Sequence, residues 1–186
     1  MRDEAGFSAF VAARGPALLR LGWLLTSDAG VAEDLVQEAL ARLVRHWDRV
    51  ATGNPEAYAR TAIRSIWVDS WRRRGGRTLH LVAEVPDRAQ PDPVLEGSDT
   101  RRDVAAALGL LAPRQRAVLV LRFYEDLTET ETARTLGCTV STVKSQTREA
   151  LQRLRERAPW LADEFRLAGA DRAPADGTAS IEEVNR

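Results

Sequence analysis

Residues 129–151 read "ETETARTLGCTVSTVKSQTREAL", and three positions in them decide the architecture. Two short helices that cross at a sharp angle need a small residue where they touch, a residue able to turn between them and an apolar anchor on the second helix. Counted from Glu129, Ala133, Gly137 and Val143 occupy positions 5, 9 and 15 of such a helix-turn-helix, and Leu136 and Val140 add core. Ser141 or Thr142 is the expected cap of the second helix. Its outward side then carries Ser141, Thr142, Lys144, Ser145, Thr147 and Arg148, short polar and cationic groups of the kind that meet phosphates and base edges in a major groove. An ordinary helical hairpin with a solvated basic face is the competing reading.

Working outward, helical periodicity continues on both sides. In "VAEDLVQEALARLVRHW" (31–47), Ala32, Leu35, Val36, Ala39, Leu40, Leu43, Val44 and Trp47 make one apolar stripe, the signature of a helix packed on one side. Ser27 and Asp28 are its candidate N-caps. Upstream, Phe7, Phe10, Val11, Leu18, Leu21 and Leu25 form another stripe, which Gly15 and Pro16 should kink or restart. "GNPEAY" (53–58) is a start signal, with Asn54 as cap and Pro55 in the first helical position. Gly75 and Gly76 should end the helix that follows, and Pro113 should open another over about 113–124. No sustained strand alternation occurs. The expected fold class is all-α: two small helical domains, 1–78 and 103–162, joined by a flexible acidic linker at 79–102 and followed by a disordered tail at 163–186.

Charge is segregated along a chain whose formal net charge is zero. Six arginines face one aspartate over 60–77, five acidic residues face one arginine over 84–99, and six basic residues face two glutamates over 134–157. Two anion-facing surfaces on either side of an acidic spacer follow from that layout. The first includes "IRSIWVDSWRRRGGR" (63–77), where Arg60, Arg64, Trp67, Trp71 and Arg74 recur at helical steps of four and three. Cations interleaved with aromatics can stack unpaired bases, each worth about 1–3 kcal/mol, while guiding their phosphates. Large aromatics usually sit in cores, but with Ile63 and Ile66 already supplying the inward face the arginine and tryptophan stripe is read as turned toward DNA, with partial packing of either tryptophan as the alternative.

Several functions are disfavoured. The single cysteine, Cys138, rules out an internal disulfide and reads as a small packing residue; with only His46 and His80 available, neither a metal site nor a cofactor is expected. His46 beside Trp47 and His80 in the linker have no carboxylate or nucleophile arrangement that suggests catalysis. No run reaches the roughly 18 apolar residues of a membrane span, and "MRDEAGFSAF" has no secretion-signal layout, so a cytoplasmic protein is expected.

Taken in order, "AEDLVQEAL" (32–40), the helix ending in "WRRR" (71–74), the acidic linker and "LAPRQRAVLVLRFYEDLTETETARTLGCTVSTVKSQTREALQRLR" (111–155) resemble the extracytoplasmic-function group of sigma-70-type RNA polymerase sigma factors, in particular its actinobacterial sigma-E-like subset. The resemblance spans about residues 7–158. It implies that Asp34, Gln37 and Glu38 dock on the clamp coiled coil of the largest subunit of core RNA polymerase, and that the second domain sits on the flap of the other large subunit. It also implies that Arg60, Arg64, Ser65, Trp67, Trp71, Arg72 and Arg74 handle melted minus-10 promoter DNA, and that the helix-turn-helix reads the minus-35 element. Relatives often carry Asn where this chain has Ser65, so the base read there is not transferable. The free protein is expected to be monomeric, nucleoid-associated once in holoenzyme, and an anti-sigma factor is a candidate partner. The rival is a stand-alone helix-turn-helix regulator whose N-terminal domain senses a ligand or dimerises.

Overall fold

The computed structural model describes residues 3–73, 104, 106–162 and 165. The expected linker at 79–102 and Gly75 and Gly76 lie outside the described residues, as does the tail except Phe165. Seven helices are described by their bounds: α1 (Glu4–Thr26), α2 (Ala29–Arg45), α3 (Trp47–Val50), α4 (Pro55–Arg73), α5 (Pro113–Leu119), α6 (Glu129–Leu136) and α7 (Val140–Arg157). No strand occurs among the described residues.

The N-terminal unit is a bundle of α1, α2 and α4. Leu18, Leu21 and Leu25 meet Leu35, Val36, Ala39 and Leu43 from α2 and Ala59, Ile63 and Ile66 from α4, all buried; each leucine contributes about 2 kcal/mol of transfer free energy. The two α-helices α1 and α2 approach closely at Gly22, where an added Cβ would lie 3.1 Å from the Ala32 carbonyl oxygen. Of the kink or restart expected at Gly15 and Pro16, the restart does not occur: α1 is one helix with Pro16 inside it. Proline removes one N–H bond and crowds the preceding turn, a local penalty that the buried stripe from Leu18 to Leu25 outweighs. Ser27 and Asp28 share the work of the turn. Ser27 adopts a left-handed conformation (φ 53°) that closes α1, and the Asp28 carboxylate accepts from the Val31 N–H at 2.9 Å to start α2.

Asp3 joins the ends of this unit. It accepts from the Gly6 N–H at 2.9 Å and from the Trp47 indole at 3.2 Å, and Phe7 meets the Trp47 ring edge-on with centroids 5.2 Å apart. Asn54 caps α4 as its sequence suggests, accepting from the Ala57 N–H at 2.9 Å.

In the C-terminal unit α5 packs on α7, and α6 on α7. Val118, Leu119, Leu121, Leu136, Val143 and Leu154 are its buried centre. Pro113 opens α5, but the helix does not run uniformly to 124: Val120–Tyr124 form a π-helical turn, in which the Glu125 N–H donates to the Val120 carbonyl at 3.0 Å. Thr128 and Glu131 cap α6 reciprocally. At its far end Gly137 (φ 63°) and Cys138 donate back to the Arg134 and Ala133 carbonyls, the paired bonds of a Schellman stop. The cap of α7 is Thr139, which accepts from the Thr142 N–H at 3.2 Å. Ser141 and Thr142 thus lie inside the first turn instead of capping it, because the Schellman turn is short enough for the helix to restart at Val140.

The two units touch. Helix α5 packs against α1, α6 against α4, and the buried side chains of both form one contiguous cluster.

Candidate nucleic-acid and polymerase interfaces

On α7, Lys144, Arg148, Leu151 and Arg155 follow one another at helical spacing and, with Glu129 and Thr147, line an open groove. Lys144 and Arg148 are exposed; Lys144 reaches Glu129 at 3.6 Å, an ion pair in solvent that contributes little and exchanges readily for a phosphate. Ser145 and Thr147 spend their hydroxyl protons on the backbone, donating to the Thr142 and Val143 carbonyls at 3.0 and 2.8 Å. Ser141 and Thr142 gather on the Thr139 hydroxyl at 2.8 Å each. Of the six residues named on this helix, the two cations are therefore the ones poised to reach outward, and Arg155 extends their line although its role was not expected.

Asp34, Gln37 and Glu38 are all exposed on the solvent side of α2, behind which Leu35, Val36 and Ala39 are buried. Glu38 accepts from Arg42 at 2.7 Å, so the patch is acidic at its upstream end and charge-balanced at its downstream end. Val31, one turn before Asp34, is an exposed apolar residue at the patch's edge.

The basic, aromatic stripe of α4 is arranged differently. Trp67 is 6% exposed and lies parallel to Trp71, with ring centroids 6.3 Å apart. Trp71 is half-buried beneath the Arg114 guanidinium of α5, 5.7 Å from its ring centre. Arg60 Nη1 donates to Glu125 Oε1 at 2.5 Å, and Arg64 Nη1 donates to Glu125 Oε2. Arg60 is also held by Glu56 at 3.0 Å and lies over the Tyr124 ring at 5.8 Å. Burial by itself would lower the Arg60 pKa; the attraction of Glu125 and hydrogen bonds to Glu56 and Glu125 outweigh it and raise the value. Arg72 lies over the α6–α7 turn, its Nη2 2.2 Å from where a Cβ of Gly137 would stand. Ser65 is exposed, and Arg74 lies outside the described residues.

Glu125, Tyr124 and Arg114 went unnoticed in the sequence. All three reach α4 from across the chain, and no local periodicity marks them. Arg116 was also missed: it is buried, its Nε and Nη1 have no hydrogen-bond partner, and desolvation lowers its pKa to about 10. Among the described residues no cluster of His, Cys, Asp and Glu could hold a metal ion, and no helix is long and apolar enough to cross a membrane.

Comparison with known proteins identifies both units. Residues 10–77 match Sigma-70 region 2 and residues 107–156 match Sigma-70, region 4. The chain is 37% identical to the RNA polymerase sigma-E factor of Streptomyces coelicolor, covering 84% of this chain and 88% of that protein. It is 34% identical to the ECF RNA polymerase sigma factor SigL of Mycobacterium tuberculosis, over 74% and 80%. Among solved structures, the sigma factor RpoE from Bartonella quintana, crystallised with the anti-sigma factor NepR, superposes with a TM-score of 0.54 at 28% identity, over 81% of this chain and 94% of that one. A helix-turn-helix unit preceded by a three-helix unit with an exposed acidic face, in the order and at the similarity of these relatives, places the chain in the extracytoplasmic-function group of sigma-70-type RNA polymerase sigma factors.

Proposed function

We propose a division of the sigma-factor task among named residues. As a member of this family the protein binds core RNA polymerase and directs promoter-specific initiation. Asp34, Gln37 and Glu38 form the contact with the clamp coiled coil of the largest subunit. Lys144 and Arg148, with Ser141, Thr142, Ser145 and Thr147 shaping the helix around them, read the minus-35 element while the C-terminal unit rests on the flap of the second large subunit. Arg60, Arg64, Ser65, Trp67, Trp71, Arg72 and Arg74 handle the opened minus-10 strand. The protein performs no catalytic step of its own, works in the cytoplasm, and has an anti-sigma factor as a natural antagonist, as its Bartonella relative does.

The observation that carries this reading is the cationic groove of α7 on one unit and the exposed acidic face of α2 on the other. Run-off transcription with purified core polymerase over a promoter library tests it. Promoter-dependent transcripts are expected; a folded protein that yields none is a stand-alone regulator. Asp34→Ala with Gln37→Ala should weaken core binding with circular dichroism unchanged, and unaltered affinity would reject that patch.

A further inference from the structure

The stripe assigned to minus-10 DNA is occupied by the protein itself. Arg60 and Arg64 grip the Glu125 carboxylate, whose side chain is 2% exposed; Trp71 lies under Arg114; Arg72 lies on the turn at Gly137. Three members of the stripe on α4, and Arg72 beside it, thus meet the C-terminal unit, at the start of α5, at the end of its π-helical turn and at the α6–α7 turn. A carboxylate between two guanidiniums presents the same charge and bidentate oxygens as a backbone phosphate.

We propose that Glu125 is an autoinhibitory latch: it substitutes for promoter phosphate on Arg60 and Arg64 and holds the free sigma factor in a closed form that cannot take single-stranded DNA. The inference rests on the assignment of that stripe to the minus-10 strand. Closure makes the observed affinity for DNA the intrinsic affinity reduced by the fraction of open molecules. Opening strips the buried Glu125 carboxylate of both its guanidinium partners, so an external ligand, the polymerase, has to favour the separated units. The surrounding contacts support a latch and not an accidental touch. Arg60 is tied from behind by Glu56, itself within 3.3 Å of Arg14, and Arg64 is steadied by the Thr61 hydroxyl at 2.9 Å.

The test uses the full chain without polymerase. Glu125→Gln keeps the shape of the side chain and removes its charge. Dyes at Ala41→Cys and Gln152→Cys, both exposed positions, in a Cys138→Ser background, report the separation of the units. Fluorescence anisotropy with a labelled single-stranded oligonucleotide of mixed sequence reports DNA binding. Glu125→Gln should lengthen the distance between the dyes and tighten oligonucleotide binding about tenfold or more, equivalent to about 1.4 kcal/mol. Arg114→Ala, which uncovers Trp71 and leaves Glu125 in place, should shift both readouts the same way and covers the case in which Glu125→Gln misfolds. Unchanged distance and affinity in both variants overturn the latch. A longer distance with no gain in binding overturns it too, and reconstituted holoenzyme then shows which premise failed. If Arg64→Ala loses transcripts on duplex promoters and keeps them on a template opened beforehand at minus-10, the stripe does contact DNA and the autoinhibition alone is wrong. If Arg64→Ala transcribes as the parent does, the assignment of the stripe has failed.

Discussion

Gly137→Ala isolates the backbone demand of the helix-turn-helix. Gly137 has φ 63°, where an L-residue with a Cβ loses roughly 1–2 kcal/mol. The new Cβ would also stand far inside contact distance of Arg72 Nη2. The two differ in stiffness. The backbone is fixed by bonds from Gly137 and Cys138 to the Arg134 and Ala133 carbonyls, whereas Arg72 is an exposed side chain whose end can swing away. The loss should therefore be about 1–2 kcal/mol and almost entirely conformational. With a urea m-value of about 2 kcal/mol/M, the midpoint followed by far-UV circular dichroism should fall by about 0.5–1 M. In an Arg72→Ala background the same substitution should cost the same within about 0.5 kcal/mol. A midpoint that does not move, or a loss that disappears without Arg72, would refute the reasoning.

The tryptophans should separate in stability. Trp67→Ala, removing a ring that is 6% exposed, should cost about 3–5 kcal/mol, and Trp71→Ala, half-buried, clearly less; thermal melts showing the reverse order would sink this assignment. Arg116→Met should leave stability unchanged or raise it by about 1–3 kcal/mol, since it removes a buried charge without a partner and keeps the apolar stem. The sign with pH follows from a pKa lowered to about 10: the parent carries the burden while charged and sheds it as pH rises through about 10, so the gap to the variant narrows there. Equal gaps at pH 7 and above pH 10 would contradict it. Arg148→Ala should cost about 1–3 kcal/mol on the cognate minus-35 sequence alone if the side chain meets a base, and weaken all sequences equally with a shallower salt slope if it meets phosphate; binding titrations on cognate and scrambled duplexes decide.

Features set by neighbours along the chain are legible in the sequence. The α2 stripe, the Asn54 and Pro55 start of α4, Pro113 at the head of α5 and the Ala133, Gly137 and Val143 spacing all follow from interactions within a few residues. Sequence pattern and structure part where neighbours in space outvote neighbours in sequence. Gly15 and Pro16 do not divide α1 because the helix is held by its packed half. Thr139 caps α7 in place of Ser141 or Thr142, since the turn's exact length depends on the stop that precedes it. Trp67 joins the core because α4 is covered on two sides, a circumstance its own heptads do not announce. Glu125 is the extreme case: its partners are 61 and 65 residues away.

The π-helical turn at Val120–Tyr124 has a genetic corollary. Such a turn is what an α-helix becomes when it accommodates one additional residue without displacing its ends, and each residue advances an α-helix by about 100°. Loss of a single codon there would return the segment to regular winding and leave the following glutamate where it stands, whereas the same loss in the regular turns of α5 would swing it about a quarter-turn off its two arginines. Among descendants of this gene, the grip between the two halves is thus buffered against a change of length at this turn and exposed to one in the regular helix before it.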